Sequence, residues 1–168
     1  MRICSLTEDI NKEKRIAITP EVVKKYISLG FEVLLPKDYG NHLGFNDEEY
    51  KVQGANIVDS EKELVIKSDI ILQLSLPSDD KMSHFRENQI LIGVLNPYLN
   101  KDKIDILTKK KINNFSLELL PRITRAQSMD ILSSQANLAG YKAVIESFAY
   151  FEKAIPMMMT AAGTVQVA

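Results

Sequence analysis

The stretch Glu13–Leu35, EKRIAITPEVVKKYISLGFEVLL, contains a helix followed directly by a strand. Thr19 is a favoured N-cap residue, and Pro20 follows at the first helical position, where no backbone N–H is required. Apolar residues then recur at helical spacing as far as Gly30, whose tolerance of positive φ suits the end of a helix. The apolar run Phe31–Leu35 that comes next is typical of a buried strand. The stretch therefore predicts one helix-to-strand step of an α/β fold.

The same alternation of short apolar runs and helical stretches continues on both sides of that segment. Strands are predicted at Ile3–Leu6, Phe31–Leu35, Ala55–Val58, Ile70–Pro77, Ile90–Leu95 and Asn114–Glu118. Besides the helix after Thr19, helices are predicted at Asp47–Gln53, from Ser60 to Ile66, at Asn100–Lys111 and from about Asp130 to Ala154. This alternation favours a parallel sheet with helices on both faces, Rossmann-like or flavodoxin-like. A long C-terminal connecting helix completes the predicted fold.

Composition limits the classes of protein that need to be considered. The chain has 168 residues, of which 45% are hydrophobic and 26% charged, with a net charge of −1. This length suits one domain with its own core, and the charge gives no basic surface for nucleic acid, so no nucleic-acid partner is predicted. No apolar run reaches the roughly 18 residues needed to cross a bilayer, which predicts no direct membrane insertion. The single cysteine, Cys4, excludes a disulfide framework and favours a reducing, cytoplasmic setting.

Residues with metal-binding or nucleophilic chemistry are few and scattered. His42 and His84 lie far apart, with no cysteine or carboxylate at ligand spacing, so no metal site is predicted. Cys4 lies in a strand-like run and is interpreted as an inert buried thiol. None of the seven glycines forms a dinucleotide fingerprint or a P-loop. Lys14 and Arg15 follow the first strand, at a sheet edge where α/β domains bind ligands, and both ligand binding and a solvated charge pair stay open.

The densest group of polar side chains lies in PRITRAQSMDILSSQANLAG, Pro121–Gly140. Arg122 supplies a rigid fork of donors, and Gln127 offers both a donor and an acceptor. Asp130 can accept from an arginine or from a ribose hydroxyl, and Ser133 lies one helical turn further on. This set can hold a neutral amide or a sugar, but it contains no proton-transfer base and no nucleophile. A cap for the following helix is the alternative interpretation.

The helix after this loop has two kinds of face. Small residues make one side thin enough for another backbone to approach closely. They are Ala136, Ala139, Gly140 and Ala143. Bulkier apolar residues form another side, which is predicted to pack on the domain's own core. They are Tyr141, Val144, Phe148 and Phe151. The segment IPMMMTAAGTVQVA that follows is interpreted as buried core or interdomain contact, so the chain is expected to be the beginning of something larger.

Two long segments resemble known proteins. Glu13–Leu35 resembles the N-terminal region shared by alanine dehydrogenases and the α subunit of proton-translocating NAD(P) transhydrogenases. Pro121–Val165 is similar to the transhydrogenase α subunit almost word for word. The alanine dehydrogenase pattern has a lysine and a catalytic histidine where this chain carries Ser75 and Asn96, so an amino-acid dehydrogenase would lack its substrate clamp and its acid/base group. Arg15 alone is retained from that pattern and is interpreted as a structural relic.

The resemblance covers the whole chain and implies one portion of the NAD(H)-binding domain of a transhydrogenase. Residues 1–128 would form its N-terminal α/β subdomain. Residues 129–168 would form a connecting helix and the start of the segment that leads to a dinucleotide-binding subdomain beyond Ala168. The implied enzyme transfers hydride from NADH to NADP+, with NADP(H) bound on a partner domain, and couples this transfer to proton translocation through a partner membrane domain. A homodimer, cytoplasmic and peripheral to the inner membrane, is also implied, and the isolated chain is expected to be inactive.

The resemblance also implies roles for the polar loop. Arg122, Gln127, Asp130 and Ser133 would surround the carboxamide and the ribose at the nicotinamide end of NAD(H). Arg122, Gln127 and Asp130 are expected at the site of hydride transfer, where Gln127 orients the dihydronicotinamide and no protein acid or base is needed. Two other hypotheses stay open, namely an alanine dehydrogenase-like amino-acid oxidoreductase and a non-catalytic scaffold or dimerisation fragment.

Overall fold

The computed structural model describes residues 1–152 and 157–165, and the chain divides into two units, Met1–Pro121 and Arg122–Ala168. The strands of the first unit are β1 (Arg2–Cys4), β2 (Glu32–Pro36), β3 (Asn56–Val58), β4 (Ile70–Ser75), β5 (Ile90–Val94) and β6 (Asn113–Ser116). Its α-helices are α1 (Pro20–Ser28), α2 (Asp47–Val52), α3 (Glu61–Lys67), α4 (Asp79–Ser83) and α5 (Lys101–Lys109). The second unit contains α6 (Ile131–Tyr150) and the strands β7 (Met158–Thr160) and β8 (Gly163–Val165). Short 3₁₀ helices lie at Asn41–Leu43, Leu117–Leu119 and Thr124–Met129.

The six strands of the first unit form one parallel sheet in the order β3-β2-β1-β4-β5-β6. This is the Rossmann order and not the flavodoxin order, so the structure decides between the two predicted alternatives. The order of the strands reverses between β1 and β4, where Ile3 lies opposite Ile70. In sheets of this kind, the carboxyl ends of the two strands at the reversal open a crevice. We refer to it below as the switch-point crevice.

Residues of the central strands alternate between two hydrophobic clusters, one on each face of the sheet. In β2, Val33 and Leu35 belong to a cluster with Val23 of α1 and Tyr50 of α2, whereas Leu34 belongs to the other cluster. This other cluster includes Leu64 of α3, Met82 of α4 and Leu107 of α5. Since successive side chains of a strand point to opposite faces, helices cover both faces of the sheet, as the sequence predicts.

Side-chain caps fix the starts of the helices where the sequence places them. The Thr19 hydroxyl accepts from the N–H of Val22 (3.4 Å), and Ser60 accepts from the N–H of Glu63 (3.4 Å). The predicted caps of α1 and α3 are thus confirmed. Helix α4 is not predicted from the sequence, because five residues are too few to show a helical repeat of apolar positions.

A buried hydrogen-bond network fixes the segment before α1 to the sheet. The hydroxyl of Tyr39 donates to Ser5 Oγ (2.7 Å) and accepts from the backbone N–H groups of Ala17 (3.1 Å) and Ile18 (3.3 Å). Tyr39 is 2% exposed, and burial raises the pKa of its phenol to about 12. The hydroxyl therefore stays protonated at neutral pH and keeps its donor role toward Ser5.

Tyr39→Phe is expected to lower the free energy of unfolding by about 2 kcal/mol, because two buried backbone donors lose their acceptor. Urea unfolding followed by circular dichroism measures this change. Tyr26→Phe is the matched control, since the raised pKa of the half-buried Tyr26 phenol comes from burial alone. The control should stay within about 0.5 kcal/mol of wild type. Equal stabilities of the two variants would show that the Tyr39 hydroxyl does not hold this segment.

In the second unit, α6 carries apolar side chains around its circumference and has no single apolar stripe. All of its described residues are outside the buried class, including Tyr141 (70% exposed) and Phe148 (53% exposed). The prediction that Tyr141, Val144, Phe148 and Phe151 pack on the domain's own core is therefore wrong. A helix without a dominant apolar stripe does not indicate which of its faces is buried.

The end of the chain departs from the sequence-based expectation in a similar way. Helix α6 ends at Tyr150, and the predicted end at Ala154 lies outside the described residues. Beyond it, β7 and β8 pair in antiparallel fashion, with Met158 opposite Val165. Met157, Met158 and Met159 are exposed, so they do not form the buried core that was one of the two interpretations of this segment.

Candidate functional site

The polar loop before α6 is a short 3₁₀ helix with one buried anchor. The N–H of Ala126 donates to the carbonyl of Ile123 (2.9 Å), and Ala126 is 7% exposed. The N–H of Asp130 donates to the carbonyl of Gln127 (3.3 Å), which closes the last turn before α6 begins. The loop therefore brings Gln127 and Asp130 together through the backbone, while their side chains remain separate.

Asp130 is the N-cap of α6. Its Oδ1 accepts from the N–H groups of Leu132 (3.0 Å) and Ser133 (3.1 Å), and its Oδ2 accepts from the Ser133 hydroxyl (2.6 Å). These bonds, that of the Ser133 hydroxyl first, hold the pKa of Asp130 below its usual value, and the positive charge of Arg122 lowers it further. The carboxylate is therefore a fixed anion at the positive end of the helix dipole, which makes it a poor proton acceptor.

Asp130→Ala is expected to loosen the first turn of α6, because the cap bonds disappear. Amide hydrogen exchange at Leu132 and Ser133 should accelerate several-fold. Asp130→Asn is the matched control, since asparagine is an equally good cap without the charge, and exchange should stay close to wild type. Because the folded pKa of Asp130 is depressed, its contribution is present above the unfolded pKa of about 4 and is lost as the pH falls through the lower folded value. Wild-type exchange rates in Asp130→Ala would contradict the capping role.

Arg122 and Gln127 differ from Asp130 in having side chains that are not engaged. Both are exposed, and neither side chain makes a hydrogen bond to the part of the chain that the structure describes. Arg122 acts on Asp130 through its charge. Of the predicted set, the structure thus brings together Asp130 and Ser133 by direct contact and Arg122 by electrostatics, and Gln127 by backbone alone. The alternative interpretation as a helix cap is confirmed for Asp130, which leaves the donors of Arg122 and Gln127 available.

The switch-point crevice is a second candidate region and has a volume of about 460 Å³. Ligand pockets commonly have volumes of roughly 300–1,000 Å³. Its lining comes from the segment after β1, the end of β4 and the neighbouring helices α4 and α5. The residues that line it are Thr7, Glu8, Asp9, Lys12, Glu13, Gln73, Ser75, Leu76, Pro77, Ser78, Lys81 and Lys103.

The positions at which this chain departs from the alanine dehydrogenase pattern lie at the carboxyl edge of this sheet. The hydroxyl of Ser75 donates to Glu8 Oε2 (2.5 Å), and the N–H of Asn96 donates to Glu118 Oε1 (2.5 Å). Arg15 pairs with Glu13 at 2.6 Å, and the hydrogen bond from its guanidinium lowers the pKa of Glu13. These positions therefore hold local hydrogen bonds and an ion pair instead of a cation and an imidazole.

The remaining candidates for chemistry are structural. Cys4 is fully buried, and burial raises the pKa of its thiol to about 12, which matches the predicted inert thiol. His42 Nε2 donates to the carbonyl of Lys14 (2.7 Å) and so ties one loop to another. Among the described residues, no group of three His, Cys, Asp or Glu side chains is arranged to hold a metal ion. No helix within residues 1–152 and 157–165 is both long and apolar enough to cross a membrane.

Sequence reasoning missed two residues of the switch-point crevice, Glu8 and Gln73. Glu8 accepts four hydrogen bonds from the end of β4, and Gln73 is 4% exposed beneath it. The available signal was the position of Glu8, which follows the first apolar run at the edge where parallel strands end.

A parallel sheet in this order, with helices on both faces and a crevice at the strand reversal, defines a Rossmann-like α/β domain. The family model described as "Alanine dehydrogenase/PNT, N-terminal domain" matches residues 6–139. The chain belongs to this family.

Relatives with a stated role are transhydrogenase subunits. The chain is 46% identical to the first portion of a divided NAD(P) transhydrogenase subunit alpha from Rickettsia prowazekii, over 98% of the chain and 44% of that protein. It is 42% identical to the protein of the same name from Rhodospirillum rubrum, again over 98% of the chain and 44% of the relative. The solved transhydrogenase from Sinorhizobium meliloti has a TM-score of 0.90 and 41% identity, and the match covers all of this chain and 50% of that one. The chain thus spans about half the length of these relatives.

Proposed function

We propose that this chain is the N-terminal portion of the NAD(H)-binding component of a proton-translocating NAD(P) transhydrogenase. The observation that carries the proposal is its likeness, over the whole chain, to transhydrogenase subunits. In this proposal, residues 1–128 are the α/β subdomain and residues 129–168 are the connection to a dinucleotide-binding subdomain. NADP(H) is bound on a partner domain, and a partner membrane domain moves the protons. The complex is a homodimer on the cytoplasmic side of the inner membrane.

The donors and acceptors of the polar loop fit the nicotinamide end of NAD(H). A carboxamide needs both an acceptor and a donor, and the free amide of Gln127 offers both. A ribose hydroxyl needs an acceptor. The Asp130 carboxylate has about four acceptor positions, of which the cap uses three, so one remains. The exposed guanidinium of Arg122 adds donors beside this site.

The proposed role of the loop is to hold and orient, and not to move protons. The nicotinamide supplies the hydride chemistry, and the protein supplies position. Gln127 and Arg122 orient the carboxamide, while Asp130 and Ser133 fix the ribose and the start of α6. The depressed pKa of Asp130 agrees with this role, since hydride transfer between two nicotinamides requires no protein base. An amino-acid dehydrogenase is less well supported, because Ser75 and Asn96 provide neither a cation nor an acid/base group.

Calorimetry with NADH tests the proposal. We expect binding to the subunit that includes the dinucleotide-binding subdomain, and little or none to residues 1–168 alone, because the helix terminus that holds a pyrophosphate lies in that subdomain. Tight binding of NADH to residues 1–168 would show that the cofactor site is misplaced. No binding to the longer subunit would favour the scaffold hypothesis, and oxidation of L-alanine by it would favour the amino-acid oxidoreductase.

A further inference from the structure

We infer that the carboxylate of Glu8 is a built-in anion that occupies an anion-binding site at the end of β4 and closes the switch-point crevice to external carboxylates. The inference does not depend on the proposed function, because it concerns only the contacts around β1 and β4.

The donors around Glu8 form a site of the kind that binds a carboxylate. Glu8 Oε1 accepts from the N–H of Leu74 (2.8 Å), the N–H of Ser75 (3.3 Å) and the side-chain amide of Gln73 (3.1 Å). Glu8 Oε2 accepts from the Ser75 hydroxyl (2.5 Å). Two successive backbone N–H groups that converge on one oxygen make an anion-binding concavity.

An irregularity in the sheet explains why these N–H groups are available. The pairing of β4 with β5 shifts register between Leu72, which lies opposite Ile92, and Ser75, which lies opposite Val94. Three steps along β4 therefore match two steps along β5, as in a β-bulge. Bulges re-aim backbone groups next to functional sites, and this one directs the N–H groups of Leu74 and Ser75 to Glu8.

The Gln73 side chain is held in the orientation that this site requires. Its Oε1 accepts from the N–H of Leu6 (2.7 Å) and from the Ser5 hydroxyl (3.1 Å), so its amide nitrogen faces Glu8. Gln73 is 4% exposed, and the Tyr39 hydroxyl in turn donates to Ser5. The donor set is thus built from the core outward and is not a chance contact of surface side chains.

Charges around the crevice disfavour a second carboxylate. The three lysines of its lining already pair with acidic groups. The pairs are Lys81 with Glu61 (2.9 Å), Lys103 with Asp79 (3.2 Å) and Lys12 with Asp9 (3.4 Å). An incoming carboxylate would also meet Glu8, Asp9 and Glu13. Small carboxylate substrates such as amino acids and 2-oxo acids are therefore the class that this crevice excludes.

Removal of the built-in carboxylate should create a site for a free one. In Glu8→Ala, we expect a lower melting temperature that formate raises, by about 3 °C for each tenfold increase in concentration above its dissociation constant. Wild type and the control Glu13→Ala should show only the shift that sodium chloride causes at the same ionic strength. A formate-specific shift confined to Glu8→Ala supports the inference. The same shift in all three proteins, or none in Glu8→Ala, overturns it.

A second variant decides the question if Glu8→Ala does not fold. Glu8→Gln keeps the shape of the side chain and replaces the anion with a neutral acceptor, which forms weaker hydrogen bonds. Amide exchange at Leu74 and Ser75 is expected to accelerate about tenfold in Glu8→Gln and to stay unchanged in Glu13→Gln. Unchanged exchange in Glu8→Gln would show that these N–H groups are not held by an anion.

Discussion

Gly93→Ala is expected to lower the free energy of unfolding by about 3 kcal/mol or more, because no room exists for a side chain at this position of β5. A Cβ atom at Gly93 would lie 2.3 Å from the backbone carbonyl oxygen of Gln73 and 3.1 Å from its carbonyl carbon. These are backbone atoms of the neighbouring central strand, so no rotation of a side chain can relieve the overlap. β4 would have to move, and with it the N–H groups that hold Glu8.

Urea unfolding followed by circular dichroism measures the loss, and Gly140→Ala provides the control. A Cβ atom at Gly140 meets nothing within 4 Å. Because alanine favours a helix over glycine, Gly140→Ala should leave stability unchanged or raise it by up to about 1 kcal/mol. If Gly93→Ala unfolds at the same urea concentration as wild type, the close approach of β4 and β5 is not the constraint described here.

The strands and caps were predictable because their signals are local. An apolar run such as Ile90–Val94 is bounded by polar or turn residues, and a cap such as Thr19 lies next to the helix that it caps. The order of the strands has no local signal, since it depends on which strands pair across long separations. The sequence therefore predicted a parallel sheet and left the Rossmann and flavodoxin orders open.

The candidate site shows the same division between local and distant contacts. The capping role of Asp130 was one of two stated interpretations, because its partners lie two and three residues away. Glu8 was missed because it contacts Ser75, 67 residues further along the chain, through a bulge that no sequence pattern indicates. The faces of α6 were misassigned for a different reason, since apolar residues around a helix do not specify which partner covers them.

Gln127→Asn is expected to slow hydride transfer about 10- to 100-fold in the complete transhydrogenase and to change the dissociation constant of NADH less than about threefold. This prediction rests on the proposed function. Asparagine keeps the amide but withdraws it by one methylene, roughly 1.5 Å. A displacement of about 1 Å in a group that positions a reacting ring can cost about 100-fold in rate, whereas binding is shared with contacts along the rest of the cofactor.

Single-turnover kinetics with NADH and NADP+ give the rate of hydride transfer, and a fluorescence titration with NADH alone gives the dissociation constant. Gln135→Asn is the control, because it makes the same change two turns further along, on α6 and outside the proposed site. Both of its constants should stay within about twofold of wild type. A selective loss of rate in Gln127→Asn identifies a positioning residue, since only the interaction made in the transition state is weakened. Equal losses of rate and affinity would instead assign Gln127 to ordinary cofactor binding.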